Sequence, residues 1–398
     1  MKKIIQAIKQ LKITTEQPLC AYLYDLEALY QHTKSITDQL PRQCEMFYAV
    51  KANSDKKLLS TLNKTCHGFE VASLGELKSI KAQFPQANII FGGPGKTEDE
   101  LAACLDYDVE FIHVESYFEL LRLSHIALKK NKPINVLLRL NIEFKNLKQT
   151  RLTMGGKATP FGMDEGELKK CLAFLKAHQL IAFKGLHFHL ISFQTDELNH
   201  VDLIDHYIDY LFRLNQQFQL DLHYLNVGGG IGVNYLDKTH RFDWQLFFHR
   251  LKEMLQTKKA ENLKLRFECG RSLSVYCGFY AIEVIDIKKT HHQYFAICRG
   301  GTHHFRTPYA QGHSHPFEIV HISQWHHQYQ RPQINDQSIS IVGQLCTPKD
   351  VLAYDAEIET LHVGDIIVFS HAGAYAWNIS HHDFLSHPHP DMIYLEND

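Results

Sequence analysis

Eight short apolar runs, separated by longer amphipathic stretches, recur between about residues 45 and 270. They are EMFYAVK (45–51), GFEVAS (68–73), NIIFGG (88–93), FIHVES (111–116), NVLLRLN (135–141), FKGLHFHLIS (183–192), YLNVGGG (224–230) and LRFECGR (265–271). The intervening segments, for example 56–62, 74–83, 98–105 and 117–129, carry helix-like spacing. Strands alternating with helices demand parallel pairing, and eight of them fit a (β/α)8 barrel. An open, doubly wound sheet satisfies the same alternation, because strand count alone does not prove closure. The gap between the fifth and sixth strands is long. It contains Met154-Gly155-Gly156 and Pro160-Phe161-Gly162, which predicts a loop over the strand ends.

The pattern changes after Arg271. Segments 280–286, 294–298, 338–345, 357–361 and 365–369 read as short strands bounded by Gly, Pro and Asp, so a β-rich second domain is expected. Segment 19–24 is a candidate extra strand of that domain. The expected division is 25–272 for the barrel, with 1–24 and 273–398 forming the β-rich part. A chain of 398 residues suits a large domain with a smaller one. The N-terminal MKKIIQAIKQLK begins like a signal peptide, but Lys9 and Lys12 interrupt it. Ile4, Ile5, Ile8 and Leu11 repeat at helical spacing, which predicts a short amphipathic helix. No run of 18 apolar residues exists, so no transmembrane helix is expected. Lys+Arg number 42 against 44 Asp+Glu, a balance that argues against a dedicated nucleic-acid or membrane-surface binder. Nine cysteines without CxxC pairs fit free thiols and a cytoplasmic location. The 27 histidines cluster, as at His303-His304 and His381-His382, yet no cysteine joins them at zinc-like intervals. No metal is expected.

Polar residues stand at the ends of several of these strands, where barrels of this kind gather function. Lys51 closes the first apolar run before Ala52-Asn53-Ser54 turns the chain away. A lysine at the mouth of a buried strand loses hydration, deprotonates more easily and becomes a nucleophile for an aldehyde, as a pyridoxal phosphate (PLP) Schiff base requires. Solvated lysines after strands are the common alternative. Gly228-Gly229-Gly230 allows backbone amides to approach a phosphate, though tight turns use the same letters. Glu268 could keep a pyridine nitrogen protonated and Arg271 could bind phosphate. Equally, the two could form a structural pair closing the barrel floor. His187 or His189 could stack on a flat ring, and Ser192 could hold phosphate. In the C-terminal part, Cys346 lies on a Pro-constrained loop, Gly343–Asp350, suited to a proton donor.

The ordered motifs YAVKAN, HFHxxS, NVGGGIG, ECGR, CTPKD and GAY resemble the PLP-dependent fold-type III decarboxylases of the ornithine, diaminopimelate and carboxynorspermidine group. FEVASLGEL, IIFGGPGKT, VGQLCTPKDV and SHHDFLSHPHP resemble its siderophore-biosynthesis branch, whose substrate is a citryl-diaminopropionate intermediate. The resemblance covers nearly the whole chain. It implies an alanine-racemase-like TIM barrel with a C-terminal β-sandwich or barrel-like domain. Lys51 matches the Schiff-base lysine and His189 the histidine stacked on the cofactor. Ser192, Gly229, Gly230, Arg271 and Tyr375 match phosphate contacts, with Gly270 beside them. Glu268 matches the acid at the pyridine nitrogen, and Cys346 the residue that reprotonates the product carbon. Cys346 and Asp350 would reach the site from the second subunit of a head-to-tail homodimer.

One departure bears on the substrate. The ornithine- and diaminopimelate-type enzymes place an acid after the cysteine, and this chain has Thr347. A cationic substrate tail would lose its charge partner, at a cost of roughly 2–5 kcal/mol. Basic and neutral residues are plentiful instead: Lys349, Arg299, His303, His304 and Arg306, with Arg151 and Lys157 in the long loop. They suit a small carboxylate-rich amino-acid substrate. The competing expectations are a decarboxylase of a free diamino acid, an amino-acid racemase, and an inactive regulator that kept the fold. ECGR and CTPKD favour decarboxylation, and Lys51, Glu268 and Cys346 are all retained.

Overall fold

A computed structural model describes residues 1–14, 17–143, 155–237 and 239–396. The chain divides into two compact units. One comprises Met1–Gln31, Asn234–His240 and Ser274–Asp398; the other comprises His32–Val233 and Arg241–Leu273.

The chain's first strand, β1 (Cys20–Asp25), belongs to the first unit. The second unit is built on β2 (Cys44–Ala49), β3 (Gly68–Val71), β4 (Ile89–Phe91), β5 (Phe111–Val114), β6 (Ile134–Arg139), β7 (Ile181–His187), β8 (Tyr224–Gly228) and β9 (Lys264–Cys269). Each strand pairs parallel with the next, and β9 pairs back onto β2, with Phe47 opposite Glu268. The sheet is therefore a closed barrel, and the open-sheet alternative is excluded. Helices follow the strands at Lys56–Leu62, Leu74–Gln83, Glu98–Asp106, Tyr117–Lys130, Glu165–Leu175, Glu197–Phe218 and Trp244–Thr257. Their starts are written in the sequence. Asp55, Ser73, Thr97, Ser116, Asp164, Asp196 and Asp243 each precede a helix and accept a first-turn amide.

At the end where the strands begin, Phe47, Ile90, Phe111 and Leu137 pack as one buried cluster. Arg266 closes this floor. Its guanidinium lies 4.1 Å from the Phe47 ring centroid and donates to Glu45 and Glu110. The ion pair at the floor is thus made by Arg266, and Glu268 stands two residues further along the same strand, toward its C-terminal end.

In the first unit, β10 (Gly278–Thr290) is the long organiser. Its first half pairs antiparallel with β1 and with β15 (Ile366–Phe369). After a bulge between Val284 and Asp286 its second half pairs with β11 (Gln293–Cys298). The sheet continues through β13 (Gln333–Val342) to β14 (Val351–His362), while β12 (Phe317–Val320) joins β15 and β16 (Asp391–Leu395) joins β1. The N-terminal helix, Lys2–Thr14, buries Ile4 and Ile8 against Leu23, Ala281, Val320 and Val368. No helix among the described residues is long and apolar enough to cross a membrane.

Arg266 is buried while both its acids are part-exposed. Arg266→Met should lower unfolding free energy by about 2 kcal/mol, read as a lower urea midpoint. Retention of the cofactor band is expected, because Arg266 pairs with Glu45 and Glu110 and not with the groups at the strand C-termini.

Candidate active site

The C-terminal ends of the barrel strands carry a ring of charged and polar groups. Lys51 sits on a single 3-10 turn, Val50–Ala52, directly after β2. Its Nζ donates to Glu70 Oε2 at 2.7 Å, and its side chain is 45% exposed against 4% for Glu70. The amine is therefore more open than a strand-mouth position suggests, and its neighbour is the desolvated group. Burial pushes the Glu70 carboxyl up and nearby Glu268 adds to this, while Lys51 opposes it. A carboxylate so placed is a ready acceptor for the Lys51 proton.

On the strand beside β2, Glu268 is buried near the end of β9. Asn226 Nδ2 donates to Glu268 Oε1 at 2.7 Å, and Asn226 Oδ1 accepts the Gly228 amide at 2.9 Å. One amide side chain thereby ties the acid to the glycine loop. Burial alone would raise the Glu268 pKa, but His113, Lys51, His189 and the Asn226 amide hold it below the ordinary carboxylate value. His113 is itself kept neutral by burial, so Lys51 and Asn226 are the lasting stabilisers. The His113 and His187 rings lie 4.0 Å apart beneath the mouth. Both His187 ring nitrogens are buried without a hydrogen-bond partner among the described residues. Arg139 pairs with Glu115 at 2.7 Å, and Lys96 with Glu119 at 2.7 Å, so the remaining strand ends carry buried, neutralised pairs.

The loops after β7 and β8 are locked together. Gln194 donates its amide to Gly230 O and accepts the Gly232 amide, each at 2.7 Å. Gly228 and Gly230 hold φ of +70° and +77°. A Cβ on Gly229 would fall 2.2 Å from Glu268 O, and one on Gly230 2.2 Å from Ile191 O. These are positions only glycine fits. His189 lies beyond the end of β7, and its Nδ1 accepts the Gly229 amide at 3.2 Å. The proton of its neutral ring is thereby left on Nε2. Burial, then Arg139 and Lys51, depress its pKa. Ser192 follows on the same loop, half-buried. Gly270 sits against Ala52 and Ala49, and Arg271 opens the short helix Arg271–Ser274, its guanidinium 5.7 Å from the Phe193 ring centroid.

The other predicted site residues lie in the first unit. Tyr375, at φ +50°, follows β15, and its carbonyl accepts from Thr307 Oγ1. Cys346 is exposed on the loop between β13 and β14. Asp350 anchors that loop: it is buried and accepts from Thr302 N, Thr302 Oγ1 and Leu345 N. His303 is wholly buried against His304, with a pKa lowered to about 4 by burial and the surrounding histidines and Arg299. Arg306 is exposed and lines a depression of about 330 Å³ with Thr302, Tyr309, Thr347, Lys349, His381 and Phe384. Arg151 lies outside the described residues, as does part of the predicted loop over the strand ends.

Glu70, His113, Glu115, Arg139 and Asn226 escaped the sequence reading. Each is a polar residue at or near the end of an apolar strand, and that interruption was the available signal.

An open lysine amine, a buried acid on the neighbouring strand, imidazole nitrogens without hydrogen-bond partners and a glycine cradle fit a phosphorylated pyridoxal. They define a PLP enzyme of the barrel class. The comparisons with known proteins agree. Residues 26–275 match the family described as pyridoxal-dependent decarboxylase, pyridoxal binding domain. The chain is 44% identical over 397 residues to 2-[(L-alanin-3-ylcarbamoyl)methyl]-2-hydroxybutanedioate decarboxylase of Staphylococcus aureus, covering 99% of this chain and 98% of that one. It is 28% identical to diaminopimelate decarboxylase of Aquifex aeolicus, covering 98% and 89%. The crystal structure of diaminopimelate decarboxylase from Helicobacter pylori, complexed with L-lysine, superposes with TM-score 0.85 at 25% identity, covering 98% and 94%. The chain belongs to the pyridoxal-dependent decarboxylases, and its cofactor is PLP.

Three imidazoles of this site, His113, His187 and His189, have pKa values lowered in the folded chain. Unfolding frees each to titrate near 6.5, so the unfolded chain binds more protons below that pH and stability falls as pH drops. Between pH 7 and 5.5 these three rings should lower the unfolding free energy by about 4 kcal/mol, measured as urea midpoints at fixed cofactor concentration. A midpoint that stays level or rises across this window would contradict the neutral state of these rings as the dominant linkage.

Proposed function

We propose that this enzyme removes the α-carboxylate of a citryl-capped diaminopropionate, releasing citryl-diaminoethane and carbon dioxide in siderophore biosynthesis, and that it works in the cytoplasm as a homodimer with shared sites. The relative at 44% identity bears the name of a decarboxylase of that amide of citrate. The single observation that carries the reading to this chain is the depression beside Thr347. Arg306, Lys349 and His381 line it with Thr302 and Thr347, and no carboxylate among the described residues does. Such a surface suits the carboxylates of a citryl group and offers nothing to a distal ammonium. His381 joins the expected set, whereas Asp350 acts by fixing the loop. The nine cysteines form no disulfide among the described residues, which supports a reducing compartment.

PLP, when bound, supplies the electron sink that lets an α-carboxylate depart as carbon dioxide. The chain does the rest. Lys51 Nζ is the anchoring amine, and Glu70 Oε2 at 2.7 Å receives its proton. Glu268 offers a fixed anion to hold a proton on the cofactor side, and His189 provides a flat face. Gly229, Gly230, Ser192, Arg271 and Tyr375 are assigned to the phosphate. Cys346 Sγ, delivered from the second subunit, hands a proton to the product carbon. Closing two chains head to tail also excludes water from that transfer.

A side-by-side assay of citryl-diaminopropionate, diaminopimelate, ornithine and lysine tests the substrate. Only the first should lose carbon dioxide at an appreciable rate, with Lys51→Ala as the inactive reference. Arg306→Ala and Lys349→Ala should each raise KM about 10- to 100-fold with a smaller change in kcat. Faster turnover of any free diamino acid would overturn the substrate while leaving the decarboxylase intact.

A further inference from the structure

A second set of ligating side chains converges in the β-rich unit, apart from every residue used above. His321 follows β12, His362 ends β14, and Asp365 precedes β15. His321 Nδ1 lies 2.9 Å and His362 Nδ1 3.3 Å from the same oxygen, Asp365 Oδ2. The three ligand atoms all lie within 4.8 Å of one another. The imidazole rings meet edge to face at 85°.

The hydrogen-bond count at this aspartate does not close. Oδ1 accepts from Ile322 N and Arg331 Nη2; Oδ2 accepts from His362 N and faces both imidazole nitrogens. That is three fixed donors, with two imidazole nitrogens competing for the one position left on a carboxylate with about four lone pairs. Both rings must also carry their proton on Nδ1 to satisfy this arrangement. A cation seated among the three atoms removes the conflict: each neutral imidazole then presents an Nδ1 lone pair and keeps its proton on Nε2. Metal bonds of about 2.0–2.1 Å place neighbouring ligand atoms about 2.9–3.4 Å apart, which spans the two observed N···O separations.

We propose that His321, His362 and Asp365 bind a divalent first-row transition-metal ion, with zinc and cobalt as suitable occupants. Two imidazoles and one carboxylate suit such ions better than the hard, oxygen-seeking magnesium or calcium. Arg331 fixes the other carboxylate oxygen and, through Ile322 O and Val363 O, the backbone around it. It plays the outer role that orients a ligating carboxylate. His321 is 56% exposed, so an ion reaches the site from solvent and water completes its coordination. The ion staples the segment after β12, the end of β14 and the start of β15.

The test uses the full-length, PLP-loaded enzyme. Cobalt(II) titrated into it should give a d–d absorbance band saturating at one equivalent per chain, and zinc should abolish the band. His321→Ala and His362→Ala should each weaken binding by more than the roughly 10- to 100-fold that loss of an outer-sphere partner costs. Asp205→Asn serves as a control, because Asp205 belongs to the barrel unit and to none of the three ligand positions. Since His321 is exposed, His321→Gln provides a variant whose fold is not at risk. Zinc should raise the melting temperature of the parent by about 3 °C or more and leave that of His321→Gln unchanged. Equal cobalt binding by the parent and the His321→Ala/His362→Ala double variant would overturn the proposal, as would the absence of a bound ion in the parent.

Discussion

A carboxylate kept ionised inside a barrel is the constraint around which the catalytic end of this enzyme is arranged. Glu268 is buried, and burial of an isolated anion is costly enough that the group would normally protonate. Here the Asn226 amide donates to it at 2.7 Å and Lys51 adds positive charge, while His113 and His187 stay neutral below. Closure of the sheet makes this possible. Glu268 lies opposite Phe47 because β9 pairs back to β2, and Asn226 reaches it from the neighbouring β8.

The same element carries the two ends of the barrel. Arg266 and Glu268 are two residues apart on β9, so both side chains point inward. Arg266 seals the floor with Glu45 and Glu110, and Glu268 faces the mouth. Asn226 in turn holds the Gly228 amide, so the position of the acid and the shape of the glycine cradle are set by one side chain. Decarboxylation by this family is thus supported by a rigid arrangement of short polar contacts, while the chemistry itself belongs to the cofactor.

Much of this was legible in the sequence because it obeys local rules. The eight apolar runs became the eight barrel strands, and a capping residue announces each helix between them. Lys51, Gly229, Gly230 and Glu268 drew attention because a barrel displays functional groups at its strand ends, and the structure places all four there. What escaped depends on long-range pairing. β12 and β16 are short strands whose edges are defined only by β15 and β1. The link between Asn226 and Glu268 crosses neighbouring strands 42 residues apart. Asp350 read as a group facing substrate, and only the fold reveals Thr302 and Leu345 as its partners. The histidines at 321 and 362 are two of 27, and nothing in their spacing singled them out.

The charge state of Glu268 can be observed directly. With side-chain carboxyl carbons of glutamate labelled with carbon-13, its resonance is assigned by its loss in Glu268→Gln and followed in the PLP-loaded enzyme from pH 8 to 5.5. The account predicts an ionised chemical shift that stays constant throughout. A resonance at the protonated position, or one that titrates within that range, would contradict it.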